Sequence, residues 1–254
     1  MEKIILSAQT FPTKLLHKKV IQDGKIVPVH AQLHLTDKCD SERQKSLEIS
    51  FDEVKQVIDV LANHKAEAIT ISGGGEPLLH PHINEIINYA ELNSVYKVLP
   101  RLFGIEVGLV TNGLLLDRLE QHNNLTWCRI SSSDDRHPAY QKILKAVERN
   151  PNTDWAFSHV ITRNLDIKKI ADLVKFSNEY GFSHIRLVSD LTDLDNIHSM
   201  QTIRWWLERS FKYYKGRELD FSKVIHQGRK DSTRGTKNCY ISLLKPVISP
   251  EGIF

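Results

Sequence analysis

The chain has 254 residues, of which 41% are hydrophobic and 26% charged, and its formal net charge at pH 7 is +3. These values predict one large domain with a substantial core, and a charge so near neutrality excludes a strong nucleic-acid-binding or membrane-binding surface. No run of about eighteen apolar residues predicts a membrane span, and the N-terminus lacks the hydrophobic segment of a secretory signal, so a cytoplasmic protein is expected.

The sequence predicts regular alternation of strands and helices. Residues 1–28 are predicted to form an N-terminal extension with a turn at residues 22–25. From residue 29 onward, short apolar runs alternate with segments whose apolar residues recur at helical spacing. The apolar runs predict six strands, at residues 30–36, 68–72, 105–110, 127–131, 155–162 and 185–188.

Several residues indicate where helices begin and end. Ser50 and Glu53 form a capping box, which predicts a helix start at residue 51. Asn164 is expected to cap a later helix, and Gly181 is expected to end that helix in a left-handed conformation. Further helical or amphipathic segments are predicted at residues 83–90, 114–121, 140–147, 198–214 and 219–226.

This order of elements predicts an α/β fold with a parallel sheet. Right-handed crossovers would wind six such strands into a curved partial barrel, and a flat doubly wound sheet is the alternative that the pattern leaves open. Both architectures place ligands at the carboxyl ends of the strands.

A glycine-rich loop follows the second predicted strand. Glycines at the end of a strand let the backbone bend sharply and approach a ligand closely, because no Cβ atom intervenes. A tight turn that binds nothing is the alternative interpretation. The loop consists of Gly73, Gly74, Gly75, Glu76 and Pro77.

A cysteine, Cys39, follows the first predicted strand, and with the glycine-rich loop it resembles the radical S-adenosylmethionine (SAM) superfamily. The resemblance extends from about Val29 to about Val188 and resumes near Cys239. It implies a partial (β/α)6 barrel at residues 29–226. It also implies a [4Fe–4S] cluster on the loop after the first strand, with Cys39 as a ligand, and binding of the SAM amino group by the glycine loop.

The cluster loop departs from the pattern of this family, which is Cys-x₃-Cys-x₂-Cys. Arg43 and Ser46 stand where the second and third cysteines would be, and a single thiolate does not hold an Fe–S cubane. The segment before the helix at Ser50 is also short. We interpret this as a missing loop, which is either a natural deletion or a set of residues absent from this chain.

The resemblance implies further SAM contacts at the ends of later strands. Asn112 lies in a Thr-Asn-Gly turn after the third strand, where the alternative is a helix-entry turn with positive φ at Asn112 and Gly113. Ser131 is expected to contact the ribose or the carboxylate of SAM. Ile161 and Leu187 are expected to lie against the adenine, with plain core packing as the alternative.

Three neighbouring sets of residues receive simpler interpretations. Residues 134–136, Asp-Asp-Arg, are expected to form a solvated turn. His159 is interpreted as a satisfied core histidine, and Arg163 as a surface residue. Cys128 is interpreted as a core residue, and the odd number of three widely spaced cysteines argues against a disulfide framework.

The C-terminal segment is similar to the start of a SPASM/twitch extension, predicted at residues 227–254. Cys239 and the Pro-Glu-Gly sequence at 250–252 carry this similarity. It implies that Cys239 is a ligand of an auxiliary Fe–S cluster, whose remaining ligands lie outside this chain.

The function that the resemblance implies is radical SAM chemistry. Such an enzyme cleaves SAM reductively at a [4Fe–4S] cluster, and the resulting 5′-deoxyadenosyl radical abstracts a hydrogen from the substrate. The SPASM-like tail favours a peptide substrate, and a small molecule such as a nucleoside or sugar is the alternative. An electron donor such as flavodoxin or ferredoxin is implied. The competing interpretation is a cluster-less relative that binds SAM or a partner protein without radical chemistry.

Overall fold

The computed structural model describes residues 21–22, 25–26, 28–39, 47–64, 66–92, 105–136, 138–190, 200–227 and 245–253. Among these residues the strands are β1 (Ile21–Gln22), β2 (Lys25–Ile26), β3 (His30–His34), β4 (Ala68–Ser72), β5 (Glu106–Thr111), β6 (Leu125–Ser133), β7 (Asp154–Ile161), β8 (His184–Ser189), β9 (Tyr213–Tyr214), β10 (Arg217–Glu218), β11 (Val224–Gln227), β12 (Val247–Ser249) and β13 (Gly252–Ile253). The α-helices are α1 (Phe51–Asn63), α2 (Ile83–Leu92), α3 (Tyr140–Arg149), α4 (Ile167–Glu179) and α5 (Met200–Ser210).

The chain divides into two compact units. The first, which we call the glycine-loop unit, comprises Pro12–Cys128, Ala139–Thr153 and Gly235–Phe254. The second, which we call the His159 unit, comprises Met1–Phe11, Arg129–Pro138 and Asp154–Arg234. The boundaries predicted near residues 28 and 226 stay a prediction.

The glycine-loop unit contains a mostly parallel sheet. Its strand order is β13-β12-β3-β4-β5, in which β12, β3, β4 and β5 are parallel and only the short β13 pairs antiparallel with β12. Helices α1 and α2 connect β3 to β4 and β4 to β5, which makes successive βαβ units. The side chains of alternate strand residues are fully buried, as are those on one face of α2: Ala31, Leu33, Ile69, Ile71, Val107, Leu109, Ile83, Ile86, Ile87 and Ala90.

The His159 unit repeats the same architecture. Strand β8 pairs in parallel with both β7 and β11, α4 connects β7 to β8, and α5 lies in the connection from β8 to β11. Its core contains a cluster of aromatic rings, in which Phe157 and Phe182 stack with their centroids 4.8 Å apart and Phe176 packs edge-on against both. The parallel strands and intervening helices of the two units confirm the predicted α/β class.

The structure confirms most of the predicted elements. All six predicted strands are present, with ends shifted by up to two residues, and Ser50 caps α1 with the expected reciprocal bonds to Glu53. Gly181 has a φ of 73° just after α4, as expected of a left-handed helix end. The amphipathic segment predicted at residues 219–226 ends in a β-strand, β11 (Val224–Gln227).

Two helix predictions are wrong. The helix expected at residues 114–121 is a single 3₁₀ turn at Leu116–Arg118, because the two fully buried leucines, Leu116 and Leu119, are three residues apart and one such turn aligns them. Helix α4 is capped by Asp166, whose carboxylate accepts from the amides of Lys168 and Lys169. The side chain of Asn164 instead donates to Asp135 and is not the cap.

Candidate functional site

The glycine loop is attached by its backbone to the segment that follows β3. The amide of Gly75 donates to the carbonyl of Thr36 at 2.9 Å, and the amide of Glu76 donates to the carbonyl of Lys38 at 2.7 Å. These two bonds lie on either side of Asp37. The loop after β4 and the start of the predicted cluster loop after β3 therefore form one backbone-bonded structure, which fixes the position of Cys39 relative to the glycines.

The need for glycine in this loop arises from close backbone approach. A Cβ atom on Gly73 would lie 1.6 Å from the carbonyl oxygen of Gly75, and one on Gly75 would lie 1.9 Å from the carbonyl oxygen of Lys38. At Gly74 the nearest atom is a side-chain atom, Oδ1 of Asp37, at 2.5 Å. Gly73 and Gly75 therefore exclude a side chain, whereas at Gly74 the Asp37 side chain could move aside. Gly74 is exposed, so its backbone is where a ligand could contact the loop.

The Glu76 carboxylate joins the glycine loop to the turn after β5. It is 3% exposed, and its Oε1 accepts from the hydroxyl of Thr111 at 2.7 Å and from the amide of Leu78 at 3.1 Å. Its Oε2 accepts from the amide of Asn112 at 2.7 Å. A buried carboxylate with three donors is fully engaged in holding these two loops together, so its role here is structural.

The Thr-Asn-Gly turn is built by its own side chains. The hydroxyl of Thr111 accepts from the amide of Gly113 at 3.0 Å, and Oδ1 of Asn112 accepts from the amide of Leu114 at 2.9 Å. Gly113 has the positive φ expected of such a turn, 79°, whereas Asn112 does not adopt a positive φ, so that part of the turn prediction is wrong. Asn112 lies beside the glycine loop through its amide contact with Glu76.

The residues on either side of the predicted cluster loop, 36–38 and 47–48, pair antiparallel, and we call this pairing the neck. Thr36 pairs with Glu48, the amide of Asp37 donates to the carbonyl of Leu47, and Lys38 forms a 2.9 Å ion pair with Glu48. Cys39 is exposed just beyond this neck. In the part of the chain that the structure describes, no three His, Cys, Asp or Glu side chains are grouped to hold a metal ion. Arg43, Ser46 and Cys239 lie outside the described residues.

The remaining predicted SAM residues belong to the His159 unit. Ser131 is half-buried near the end of β6, and its carbonyl accepts from the guanidinium of Arg136 at 3.0 Å. Ile161 ends β7 and Leu187 lies within the neighbouring β8, and both are at most 2% exposed. The burial of Ile161 and Leu187 fits both interpretations that the sequence left open, namely core packing and contact with a ligand.

The sequence interpretation missed a buried polar chain in this unit. The Ser132 hydroxyl lies 3.0 Å from Nδ1 of His159, and Nε2 of His159 lies 3.2 Å from Oδ1 of Asp134. The Asp134 carboxylate also accepts from the amides of Thr162 and Asp166, at 2.8 and 3.1 Å. Asp134 is thus a buried acceptor that fixes the segment between β7 and α4, which corrects the expectation of a solvated turn at residues 134–136.

A signal for this cluster is present in the sequence. Buried residues alternate along β6 at Cys128, Ile130, Ser132 and then Asp134. Extending the two-residue period of a strand beyond its apolar part would have placed Ser132 and Asp134 inside. His159 is the satisfied core histidine that was expected, and Arg163 is exposed.

The surroundings of one carboxyl group, Asp134, and of one imidazole, His34, lower their pKa values. Burial alone would raise the pKa of Asp134, but the hydrogen bonds from His159, Thr162 and Asp166 outweigh it and hold that pKa below its ordinary value. Burial lowers the pKa of His34, at the end of β3, while the nearby Asp37 carboxylate opposes that shift. The Asp37 charge is therefore felt at the carboxyl end of β3, next to the glycine loop.

Comparison with known proteins supports the fold. No protein-family model matches the chain, and no curated protein matches it either. Among solved structures, Streptococcus suis SuiB bound to the precursor peptide SuiA matches with a TM-score of 0.64 and 14% identity, over 97% of this chain and 63% of SuiB. SuiB bound to S-adenosylmethionine matches with a TM-score of 0.61 and 14% identity, over 90% of this chain and 60% of SuiB.

The chain spans less than two thirds of the length of SuiB, so the likeness covers only part of that protein. Among the described residues no helix is long and apolar enough to cross a membrane. An identity of 14% shows a shared fold and carries no information about the reaction. The chain shares its α/β fold with SuiB, which is the fold class that the sequence predicted.

Proposed function

We propose that this chain is the SAM-binding domain of a radical SAM enzyme. The observation that carries the proposal is the glycine loop at the carboxyl end of β4, where Gly73 and Gly75 leave no space for a Cβ atom. Its backbone is bonded to the carbonyls of Thr36 and Lys38. A rigid, side-chain-free backbone at the end of a parallel strand is suited to binding the polar end of a small ligand.

The other predicted contacts follow from the same proposal. The loop from Gly73 to Pro77 would bind the amino-acid part of SAM, supported by the turn at Asn112. Ser131 would contact the ribose or the carboxylate, and Ile161 and Leu187 would offer an apolar surface to the adenine. The structure of SuiB bound to SAM supports this assignment by analogy of fold.

The residues of this chain do not fit a [4Fe–4S] cluster of their own. Such a cluster needs three thiolates besides SAM, and Cys39 is the one cysteine near the neck, with Arg43 and Ser46 at the other two spacings. We therefore assign no reaction step to the cluster. The radical SAM proposal requires that the intact protein supplies further thiolates after Cys39, from residues that this chain lacks.

A peptide is the proposed substrate class. The support is that SuiB, which has this fold, was solved with its precursor peptide, and that β12 and β13 form a hairpin at the predicted start of the SPASM-like extension. Cys239 as an auxiliary cluster ligand, a small-molecule substrate, and flavodoxin or ferredoxin as electron donor stay predictions. A cytoplasmic location is likewise a prediction.

The second candidate is a SAM-binding protein without radical chemistry. The observation that favours it is the absence of the second and third cysteines from the spacing that begins at Cys39. In this candidate the glycine loop binds SAM as described, and Cys39 is an ordinary exposed thiol.

Intact mass, iron content and SAM binding test the two candidates on protein purified without oxygen. A mass above 29.2 kDa, together with cysteine-containing peptides after Cys39 and bound iron and sulfide, would support the radical SAM enzyme. Cys39→Ala should then abolish the iron, whereas the control Cys128→Ala, at a buried core position, should retain it. A mass of 29.2 kDa and SAM binding without iron would support the cluster-less candidate. Protein that fails to bind SAM would contradict both.

A further inference from the structure

We propose that Arg129 and Arg186 bind a carboxylate of the substrate on the face of the His159 unit's sheet opposite α4. The inference rests on the proposed function, which supplies a peptide as the substrate class, and it adds a site that the sequence did not indicate. Arg129 lies on β6 and Arg186 on β8, so the two arginines flank β7, the strand between them.

The contacts of β7 show which face Arg186 occupies. Phe157 packs against Phe176 of α4, and because successive side chains of a strand point to opposite faces, Ser158 points away from that helix. The guanidinium of Arg186 donates to the hydroxyl of Ser158 at 3.0 Å. Arg186 therefore lies on the face opposite α4.

Arg129 lies on the same face as Arg186. The hydroxyl of Ser132, on β6, lies 3.0 Å from Nδ1 of His159, which is on the α4 face because it is two residues from Phe157. Arg129 is three residues before Ser132 and so points to the opposite face. The same contact sets Ser132 level with His159 along the strands, which brings Arg129 to the level of residue 156.

Small side chains of β7 lie between the two arginines. Ala156 and Ser158 are 4% and 6% exposed, and their register partners on β8 are His184 and Arg186. Arg129 and Arg186 are both half-buried. Two long cationic side chains on either side of two short ones form an arrangement that suits a small anion.

The positive charges of both arginines act on this face of the sheet. Burial lowers the pKa of His184, Asp154 opposes that shift, and the charges of Arg129 and Arg186 lower it further. The imidazole is therefore mostly neutral at pH 7, while both guanidinium groups stay charged. Asp154, at the exposed start of β7, supplies one negative charge against these two positive ones. A carboxylate between the arginines would reduce their repulsion and accept charge-assisted hydrogen bonds.

The bond to Ser158 orients the Arg186 side chain. Its Nη2 and Nε lie 3.0 and 3.4 Å from the Ser158 hydroxyl. A guanidinium has several N–H donors in a rigid planar fork, so this bond fixes the plane while it uses only part of the donors. A carboxylate matches such a fork with two parallel hydrogen bonds, whereas a neutral amide offers one acceptor. We therefore expect the site to prefer an acidic side chain of a peptide over its amide.

Isothermal titration calorimetry with two capped tripeptides tests this site. The probes are acetyl-Ala-Glu-Ala-amide and acetyl-Ala-Gln-Ala-amide, which differ in one charge, and SAM and inorganic phosphate are titrated alongside. Arg186→Gln and Arg129→Gln each remove one guanidinium. Arg209→Gln, at an exposed position in α5, is the control for the loss of one positive charge. The melting temperature of each variant shows whether it is folded.

We expect the wild type to bind the glutamate peptide about 10-fold more tightly than the glutamine peptide, because only the former accepts charge-assisted hydrogen bonds from both arginines. Arg186→Gln and Arg129→Gln should each lose most of this preference and bind SAM as the wild type does. Arg209→Gln should change neither property.

Three results would overturn the assignment. They are equal affinity of the wild type for the two peptides, tighter binding of phosphate than of the glutamate peptide, and loss of SAM binding in the folded arginine variants, since the carboxylate would then be that of SAM. Wild-type protein that prefers the glutamate peptide but does not bind SAM would overturn the proposed function and leave the carboxylate site in place.

Discussion

Nε2 of His159 lies 3.2 Å from Oδ1 of Asp134, and neither side chain exposes more than 1% of its surface. The carboxylate is held by the amides of Thr162 and Asp166 as well, and its own main-chain carbonyl accepts from Lys169. One side chain from the end of β6 thus organises the end of β7 and the start of α4. That arrangement positions the ends of the strands that carry Ser131 and Ile161.

Asp134→Asn is expected to destabilise the protein by roughly 3 kcal/mol. The NH₂ group of the asparagine would face the amides of Thr162 or Asp166, which now donate to the buried carboxylate. Urea unfolding measures the free energy of unfolding. Asp135→Asn is the matched control, since Asp135 is exposed and accepts a single bond from Asn164. Equal stability of the two variants would contradict the structural role of Asp134.

Glycine-to-alanine substitutions in the loop should differ in cost. Gly75→Ala is expected to cost about 1–3 kcal/mol or more, because its Cβ atom would overlap the Lys38 carbonyl and the backbone would have to move. Gly74→Ala should cost less, because the obstacle is the end of the Asp37 side chain, which can rotate away. Thermal unfolding of both variants measures the difference, and a less stable Gly74→Ala would contradict it. Bulkier residues at Gly74 are still predicted to weaken SAM binding.

Glu76→Gln is expected to lower the free energy of unfolding by about 2 kcal/mol, because an amide group cannot accept from Leu78, Thr111 and Asn112 together. Thr111→Val removes one of these bonds and also the acceptor of the Gly113 amide, so it should lower the free energy of unfolding by a similar amount. Glu85→Gln is the control, because that side chain is 54% exposed. If Glu76→Gln is as stable as Glu85→Gln, the carboxylate does not hold the two loops together.

The pH dependence of stability is expected to report His122. Burial lowers its pKa to about 4, from 6.5 in the unfolded chain, so the unfolded state binds a proton that the folded state does not take up until the pH is near 4. The stability that neutral His122 contributes is therefore fully present above pH 6.5. It is lost as the pH falls toward 4, by at most about 3 kcal/mol.

Two variants check this assignment by unfolding at several pH values. His122→Gln should remove the part of the pH dependence of the free energy of unfolding that His122 causes between pH 4 and 6.5. Asn88→Asp should reduce the slope, because Asn88 is exposed, its side chain lies 2.8 Å from Nδ1 of His122, and a carboxylate there would raise the pKa of the imidazole. An unchanged slope in both variants would show that other groups dominate the acid instability.

The sequence predicted those features whose causes are local. The start of α1 at Ser50 depends on a side chain three residues away, and the buried β4 depends on an apolar run of adjacent residues. The glycine loop was predicted for the same reason, since three successive glycines permit a backbone path that other residues block. The helix cap at Asp166 was missed because Asn164, an equally good cap by type, is engaged by Asp135.

What only the tertiary structure decided is which polar side chain performs which task. Glu76 is engaged because Thr111, 35 residues later, brings its hydroxyl to the carboxylate, and Asp134 is buried because His159 and Thr162 come from the next strand. The sequence established the α/β alternation, the two loops at the ends of β3 and β4, and the shortage of thiolates after Cys39. Hydrogen bonds between segments distant in the chain then assigned Glu76 and Asp134 to the framework and left Asp37 exposed, and no periodicity or spacing within a segment encodes such partners.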